Sequence, residues 1–140
     1  MVRQTATEQV EPLLRRDPEL VLWWGTALEC AGVLAVAKSE ERLDETGVLR
    51  AQTAIDHLRE RAFEVQPTTE VRARALRIVS VHSLPAGAAL QLAAALVWCR
   101  ERTHGVSFVC LDELLRLAAG REGFRVQPYA DEVHEPSSSG

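Results

Sequence analysis

Two acidic residues are placed where a parallel α/β sheet binds its ligands. Glu29 lies shortly after the apolar segment Leu20–Trp24, and Asp112 directly follows the apolar segment Val106–Leu111. If both segments are strands, each carboxylate lies at the carboxyl end of a strand, which is the edge where open α/β sheets bind ligands. Two carboxylates converging there could hold a hard divalent cation such as Mg²⁺, because this cation prefers oxygen ligands.

Both acidic residues also have a purely structural interpretation. Thr26 and Glu29 have the spacing of a capping box, in which the glutamate reaches back to the backbone N–H of Thr26. Asp112 is a favourable N-cap for the helix that follows it. The spacing alone favours capping over metal ligation and leaves both interpretations open.

The histidines and cysteines do not suggest a zinc site. The four histidines are scattered along the chain, which favours solvated or capping side chains over a metal cluster. Cys30, Cys99 and Cys110 form no CxxC pair. Because all three cysteines lie among apolar residues, we expect buried thiols in a reducing cytoplasm.

Four short segments rich in Val, Leu, Phe or Trp predict buried strands, because Gly or Pro bounds them. They are Leu20–Trp24, Ala62–Gln66, Val106–Leu111 and Phe124–Gln127. Helical patterns alternate with these strands. The alternation predicts an α/β fold with a parallel sheet that helices cover on both faces.

Apolar spacing predicts the helices between the strands. The apolar stripes of these helices are Leu28, Val33, Leu34 and Ala37; then Val48, Ala51, Ile55 and Leu58; then Val71, Ala75, Leu76 and Val79. The alanine-rich stretch Pro85–Arg102 is apolar nearly all round, so we expect a central buried helix. Another helix is predicted at about Thr5–Arg16, ahead of the first strand.

Length and charge limit the class of protein. A chain of 140 residues has the size of one domain, predicted over residues 1–130, with a disordered tail over 131–140. The formal net charge of −4 excludes a generic basic nucleic-acid binder. The N-terminus lacks an apolar secretion signal, and the nearly uncharged run Leu84–Cys99 is shorter than the ~20 residues of a membrane span. We therefore expect a soluble, cytoplasmic protein with no membrane partner.

Three runs of sequence resemble PIN-domain proteins of the VapC toxin type. The first is Trp23–Cys30, with the sequence WWGTALEC, and the second is His82–Ala95. The third is Phe108–Leu115, which is followed by Glu122-Gly123-Phe124. The runs occur in the order of the family, and the resemblance covers about Glu11–Pro128.

The resemblance implies a three-layer α/β/α PIN-like fold and a family of Mg²⁺- or Mn²⁺-dependent endoribonucleases. Many members are toxins that a cognate antitoxin holds inactive, so the implied partners are RNA, an antitoxin and a second copy in a homodimer. Glu29 matches the family's glutamate after the second strand, and Asp112 matches its last aspartate. The resemblance therefore implies that these two residues are catalytic and bind the metal.

The chain departs from the family at two of its four acidic positions. Ala88 stands where the family has an aspartate in its long apolar helix. The family's first central strand, which carries another aspartate, would precede Met1. We therefore expect weak or absent hydrolysis of RNA, since half of the carboxylates that hold the metal are missing.

A catalytically inactive interaction module is the alternative function. Such a module would bind an antitoxin or a second copy through apolar surface near Trp23, Trp24 and Trp98, although core filling is the commoner role for Trp23 and Trp98. Arginines could also contact RNA or an acidic partner, although a solvated helix face is the commoner role for such residues. These arginines are Arg72, Arg74, Arg77 and Arg100.

Overall fold

A computed structural model describes residues 19–129 of the chain. The helix predicted at Thr5–Arg16 and the tail predicted over 131–140 lie outside the described residues. The elements are β1 (Val21–Trp23), α1 (Thr26–Ser39), α2 (Glu45–Arg61), β2 (Phe63–Val65), α3 (Thr69–His82), α4 (Ala86–Trp98), β3 (Ser107–Val109), α5 (Glu113–Arg121) and β4 (Arg125–Gln127). All four predicted strands are confirmed, each with somewhat shorter bounds, and helices separate them as expected. Their predicted burial is confirmed only in part, since Trp23 and Val65 are buried whereas Phe63 is 62% exposed and Val109 is 38% exposed.

The strands pair in parallel, as predicted, but form two sheets. β1 pairs with β2, and β3 pairs with β4, so each sheet in the described part of the chain has two strands. Helices connect the two strands of each pair, which is the connection that parallel neighbours require. The α/β class is therefore confirmed, whereas the expected single sheet is replaced by two small ones.

The described residues group into two compact units. The first unit, Glu19–Pro67, contains β1, α1, α2 and β2, and the second, Thr68–Tyr129, contains the remaining elements. This grouping does not decide whether residues 1–130 form one domain, so the single domain stays a prediction. Among the described helices, none combines the length and the apolar character needed to cross a membrane.

The central helix of the second unit is the one predicted from the alanine-rich stretch. α4 begins directly after Pro85 and places Ala89, Leu92 and Leu96 in the core. These side chains pack with core residues from the neighbouring elements, which are Ile78, Leu84, Leu115, Ala118, Ala119 and Phe124. The small alanine side chains let other elements approach α4 closely.

The buried side of α3 differs from its predicted stripe. Val71 and Ala75 are buried as expected, but Ile78 completes the stripe. Leu76 is 69% exposed and Val79 is 41% exposed. The sequence carries apolar residues on two sides of this helix, and spacing alone does not say which side meets the core.

The turn that ends α1 contains a residue in the left-handed conformation. The N–H of Arg42 donates to the carbonyl of Ala37 at 2.9 Å, and the N–H of Glu41 donates to that of Lys38 at 3.1 Å. This hydrogen-bond pattern is a Schellman motif, which usually has glycine at the left-handed position. Glu41 occupies that position with a φ of 59°.

We expect Glu41→Gly to raise the free energy of unfolding by about 1 kcal/mol. The left-handed conformation costs a side-chain-bearing residue about 1–2 kcal/mol, and part of the relief is offset by the greater freedom of glycine in the unfolded chain. Urea denaturation measures the difference. Glu40→Gly is the matched control, because Glu40 has a φ of −88° and gains nothing from glycine; equal effects of both changes would contradict the prediction.

Candidate metal centre

Glu29 lies in the first turn of α1, within the first unit. The turn between β1 and α1 brings the backbone of Gly25 against the indole of Trp23, so that a side chain at Gly25 would collide with the ring. The backbone N–H of Glu29 then donates to the carbonyl of Gly25 at 3.0 Å. Glycine at this turn therefore lets α1 start close behind the strand, which sets the position of Glu29.

The capping box expected at Thr26 and Glu29 is wrong. Gly25 is the N-cap residue of α1, and no side chain caps this helix end. Thr26 is already the first helical residue, whereas a capping box needs the threonine at the N-cap. The carboxylate of Glu29 is therefore not committed to the cap that its spacing suggested.

The capping interpretation of Asp112 is confirmed. Its Oδ1 accepts a hydrogen bond from the N–H of Leu115 at 3.0 Å, and its backbone carbonyl accepts one from the N–H of Arg116 at 2.9 Å. The side chain is exposed and lies beyond the carboxyl end of β3. Asp112 thus occupies the predicted sheet edge in the second unit, with one carboxylate oxygen engaged in capping α5.

Arg116 fixes the edge of the sheet beside Asp112. Its Nη1 donates to the carbonyl of Cys110 at 2.8 Å, and its Nη2 donates to the carbonyl of Pro128. These carbonyls follow β3 and β4, respectively. One guanidinium group therefore ties together the ends of both strands next to the candidate metal ligand.

The cysteines are half-buried, whereas burial was expected. Burial nevertheless raises the pKa of each thiol above its ordinary value, with the charge of Glu29 adding to the effect at Cys30. Burial raises the pKa of Cys110 to about 11, even though the nearby charge of Arg116 lowers it. The three thiols therefore stay protonated at neutral pH, which makes them poor nucleophiles.

The acidic residues do not assemble into a larger cluster in the part of the chain that the structure describes. Glu29 belongs to the first unit and Asp112 to the second. Ala88, which stands at the position of a family aspartate, is partly buried against the core of the second unit. Over residues 19–129, no group of three or more His, Cys, Asp or Glu side chains is arranged to hold a metal ion.

The structure reveals a charged network that the sequence analysis did not identify. The carboxylate of Glu122 accepts hydrogen bonds from Arg77 Nη2 at 3.0 Å and from Arg77 Nη1 at 3.3 Å. Its Oε2 also lies 2.6 Å from His82 Nε2. The side chain of His82 is 5% exposed and that of Glu122 is 14% exposed. The network joins the end of α3 to the residue that follows α5.

The surroundings of Glu122 favour its ionised form. Burial alone raises the pKa of this carboxyl, but the hydrogen bonds from Arg77 and His82 outweigh burial and bring the pKa below its ordinary value. The same pairing raises the pKa of Arg77. Glu122 is thus a carboxylate at neutral pH whose two oxygens are occupied by protein donors, which is typical of a structural ion pair.

The tryptophans divide between the core and the surface. Trp23 is buried and meets the exposed ring of Trp24 edge-on, with ring centroids 6.3 Å apart. Trp98 is 39% exposed at the end of α4. Core filling is therefore confirmed for Trp23 and wrong for Trp98.

Comparison of the chain with protein-family models, with curated proteins and with solved structures gave no match in any of the three.

We expect Asp112→Ala to lower the free energy of unfolding by about 1 kcal/mol, because the N–H of Leu115 loses its capping partner. Asn caps helices as well as Asp does, so Asp112→Asn should leave the stability nearly unchanged. Thermal unfolding followed by circular dichroism measures both effects. A loss in Asp112→Asn as large as in Asp112→Ala would show that the charge, and not the cap, carries the stabilisation.

Proposed function

We propose that this chain is a PIN-like protein of the VapC toxin type with an α/β/α fold. Its metal-dependent hydrolysis of RNA is weak or absent in this proposal. The chain works instead as a protein-binding module. The observation that carries the binding function is the exposed apolar side of α1. The partner that we propose is a second copy of the chain, which makes a homodimer.

The exposed side of α1 consists of apolar and small residues. Leu28, Val33 and Val36 are 74%, 65% and 50% exposed, and Ala31, Gly32 and Ala35 are also exposed. Ala37, on the opposite side, is buried. A helix that is apolar all round is normally covered on every side. An exposed apolar surface of this kind is typical of a protein–protein interface.

Two features of the second unit support weak hydrolysis. Asp112 already uses one carboxylate oxygen to cap α5, and Ala88 provides no ligand at the position of the family aspartate. Loss of groups that merely support metal ligands costs 10–100-fold in affinity or activity. We therefore expect the absence of the ligands themselves to lower the metal affinity or the activity by more than this.

Sedimentation equilibrium tests the homodimer. We expect the chain to associate at micromolar concentration, and the double change Leu28→Glu and Val36→Glu to make it monomeric, because charges would be buried in the apolar contact. Leu49→Glu is the matched control, since Leu49 is an exposed apolar residue of α2 in the same unit. A chain that stays monomeric at 100 micromolar, or that associates equally in the variant, would contradict the proposal.

Metal-dependent endoribonuclease activity is the second candidate function. Glu29 and Asp112 would hold Mg²⁺ or Mn²⁺, and Asp112 lies at the sheet edge where such a site is expected. The bound cation would orient a water molecule and offset charge on the phosphate. Because the other two acidic residues of the family are missing, we expect a weak site.

Calorimetric titration with Mn²⁺ tests the metal site. Saturable binding that disappears in Asp112→Asn would support it, since this change keeps the helix cap and removes the charged ligand. Ala88→Asp restores the family's acidic residue and should strengthen binding. If neither the chain nor Ala88→Asp binds Mn²⁺, the metal-dependent function is wrong, whereas the homodimer is tested separately.

A further inference from the structure

The stretch Thr68–Tyr129 carries more positive than negative charge although the whole chain is acidic. It contains eight arginines against five acidic residues, whereas Glu19–Pro67 contains five basic and nine acidic residues. The stretch therefore has a net charge of +3, and three further acidic residues, Asp131, Glu132 and Glu135, follow it in the sequence. A local surplus of this kind attracts anionic ligands even when the whole protein is negative.

Several parts of the second unit contact the turn Cys99–Gly105 or the residue that follows it. Arg74 of α3 binds Glu101 of this turn, with Nη2 2.7 Å from Oε1. On the other side, Thr103 Oγ1 donates to the carbonyl of Glu122 at 2.9 Å, and the N–H of Arg125 donates to the carbonyl of Val106 at 2.9 Å. The second turn of α3 and the residue that follows α5 therefore both contact this turn, and β4 begins beside the residue that follows it.

Three arginines in or next to this turn form no ion pair in the described part of the chain. Two pairs, Arg74 with Glu101 and Arg77 with Glu122, neutralise two nearby acidic residues. The exposed arginines without a carboxylate partner are Arg100, Arg102 and Arg125. The turn therefore presents several exposed guanidinium groups, each able to donate two hydrogen bonds to an anion.

An exposed aromatic residue directly precedes this turn in the sequence. Trp98, the last residue of α4, directly precedes the turn that carries Arg100 and Arg102. The N–H groups of Arg100 and Glu101 bond back to the carbonyls of Val97 and Leu96, which holds this turn against the helix end. A backbone of defined shape therefore carries the exposed indole and the two exposed arginines of the turn within five residues of one another.

We propose that Trp98 and the arginines around Cys99–Gly105 bind single-stranded nucleic acid without a metal ion and without distinguishing DNA from RNA. Arginines would contact the phosphates and Trp98 would stack on a base, which is the usual way in which proteins bind single strands. Neither contact involves the 2′-hydroxyl, which is what proteins use to recognise RNA. An acidic peptide would satisfy the arginines but gives no role to the exposed indole.

The surface is distinct from the candidate metal centre. It lies at the end of the second unit where β3 and β4 begin, whereas Asp112 lies where β3 ends. It also does not include α1, so it is independent of the proposed homodimer. Binding at this surface would hold a strand without cutting it.

Fluorescence anisotropy with labelled (dT)12 in EDTA tests this surface, because a DNA probe and the absence of metal separate binding from hydrolysis. We expect saturable binding that weakens with salt, with a slope of log K against log [salt] of about −2 to −3 for three or four phosphate contacts. Arg100→Ala with Arg102→Ala should weaken binding at least tenfold and reduce the slope by about 1–1.5. Labelled (U)12 should bind as tightly as the DNA.

Two variants make the test specific. Trp98→Leu keeps an apolar side chain but removes stacking, and should weaken (dT)12 binding about fivefold or more. The double change Arg50→Ala and Arg61→Ala removes two exposed arginines of α2, which also form no ion pair, and should leave the affinity unchanged. Circular dichroism checks that each variant is folded.

Three results would overturn this proposal. The first is the absence of saturable (dT)12 binding at 50 millimolar salt. The second is an equal loss of affinity in the α2 control. The third is a combined result: a glutamate-rich peptide binds as tightly as (dT)12, and Trp98→Leu does not change the affinity for (dT)12. This result would assign the surface to an acidic protein partner.

Discussion

Ile78→Ala is expected to lower the free energy of unfolding by about 3 kcal/mol, whereas Leu76→Ala should lower it by less than about 0.5 kcal/mol. Ile78 is fully buried among the core residues of the second unit, so its truncation removes apolar contacts and leaves a cavity. Leu76 projects mostly into solvent, and a truncation there leaves no cavity. Urea denaturation of both variants measures the difference.

The comparison is sharp because the two residues share one helix and have side chains of equal size. Both substitutions give alanine, so the helix propensity changes little in either case. If Leu76→Ala were the more destabilising change, the core would meet the side of α3 predicted from the sequence, and the observed orientation of the helix would be wrong. Equal m-values would confirm that both changes act on the folded state.

The fold could be predicted from the sequence to the level of its elements. Strands such as Val106–Leu111 are short, apolar and bounded by breakers, and these signals are local. The orientation of α3 was not predictable, because Leu76 and Ile78 are both apolar and only the position of α4 decides which one is buried. The division into two sheets depends on which of the strands pair with each other. Segments of only three residues carry almost no information about that pairing.

The candidate site was predictable only where a local signal exists. Asp112 precedes a helix, and the structure confirms it as the cap that its spacing favoured. Glu29 has the same kind of signal, but Gly25 and not Thr26 is the N-cap residue of the helix, so the capping box does not form. His82 and Glu122 are 40 positions apart, and no periodicity links them. The one available signal was that both belong to the runs that resemble the PIN family.

Glu122→Gln is expected to lower the free energy of unfolding at pH 7 by about 2–3 kcal/mol. The carboxylate of Glu122 accepts hydrogen bonds through both oxygens, whereas the side chain of glutamine has one accepting oxygen and a donating NH2 group. Arg77 or His82 therefore loses its charged acceptor in a mostly buried position. Removal of one partner from a fully buried ion pair costs 3–5 kcal/mol. We expect less here, because Arg77 is partly exposed and its buried Nε finds no hydrogen-bond acceptor among the described residues.

Glu101→Gln is the matched control for this variant. Glu101 pairs with Arg74 through the same two functional groups, but both side chains are substantially exposed. Exposed pairs contribute about 0–1 kcal/mol, so this control should lose less than about 1 kcal/mol. Equal losses in the two variants would show that burial does not strengthen the Glu122 network.

The stabilisation by Glu122 should also depend on pH, with a direction set by its lowered pKa. Because the folded chain holds this carboxyl ionised more strongly than the unfolded chain does, the contribution is complete above the unfolded pKa of about 4.3 and is lost as the pH falls through the folded value. The difference in stability between the unmodified chain and Glu122→Gln should therefore shrink as the pH falls below about 4. A difference that persists unchanged to pH 3 would contradict this prediction. It would mean that side-chain packing, and not the charge of Glu122, stabilises the contact between the end of α3 and the residue that follows α5.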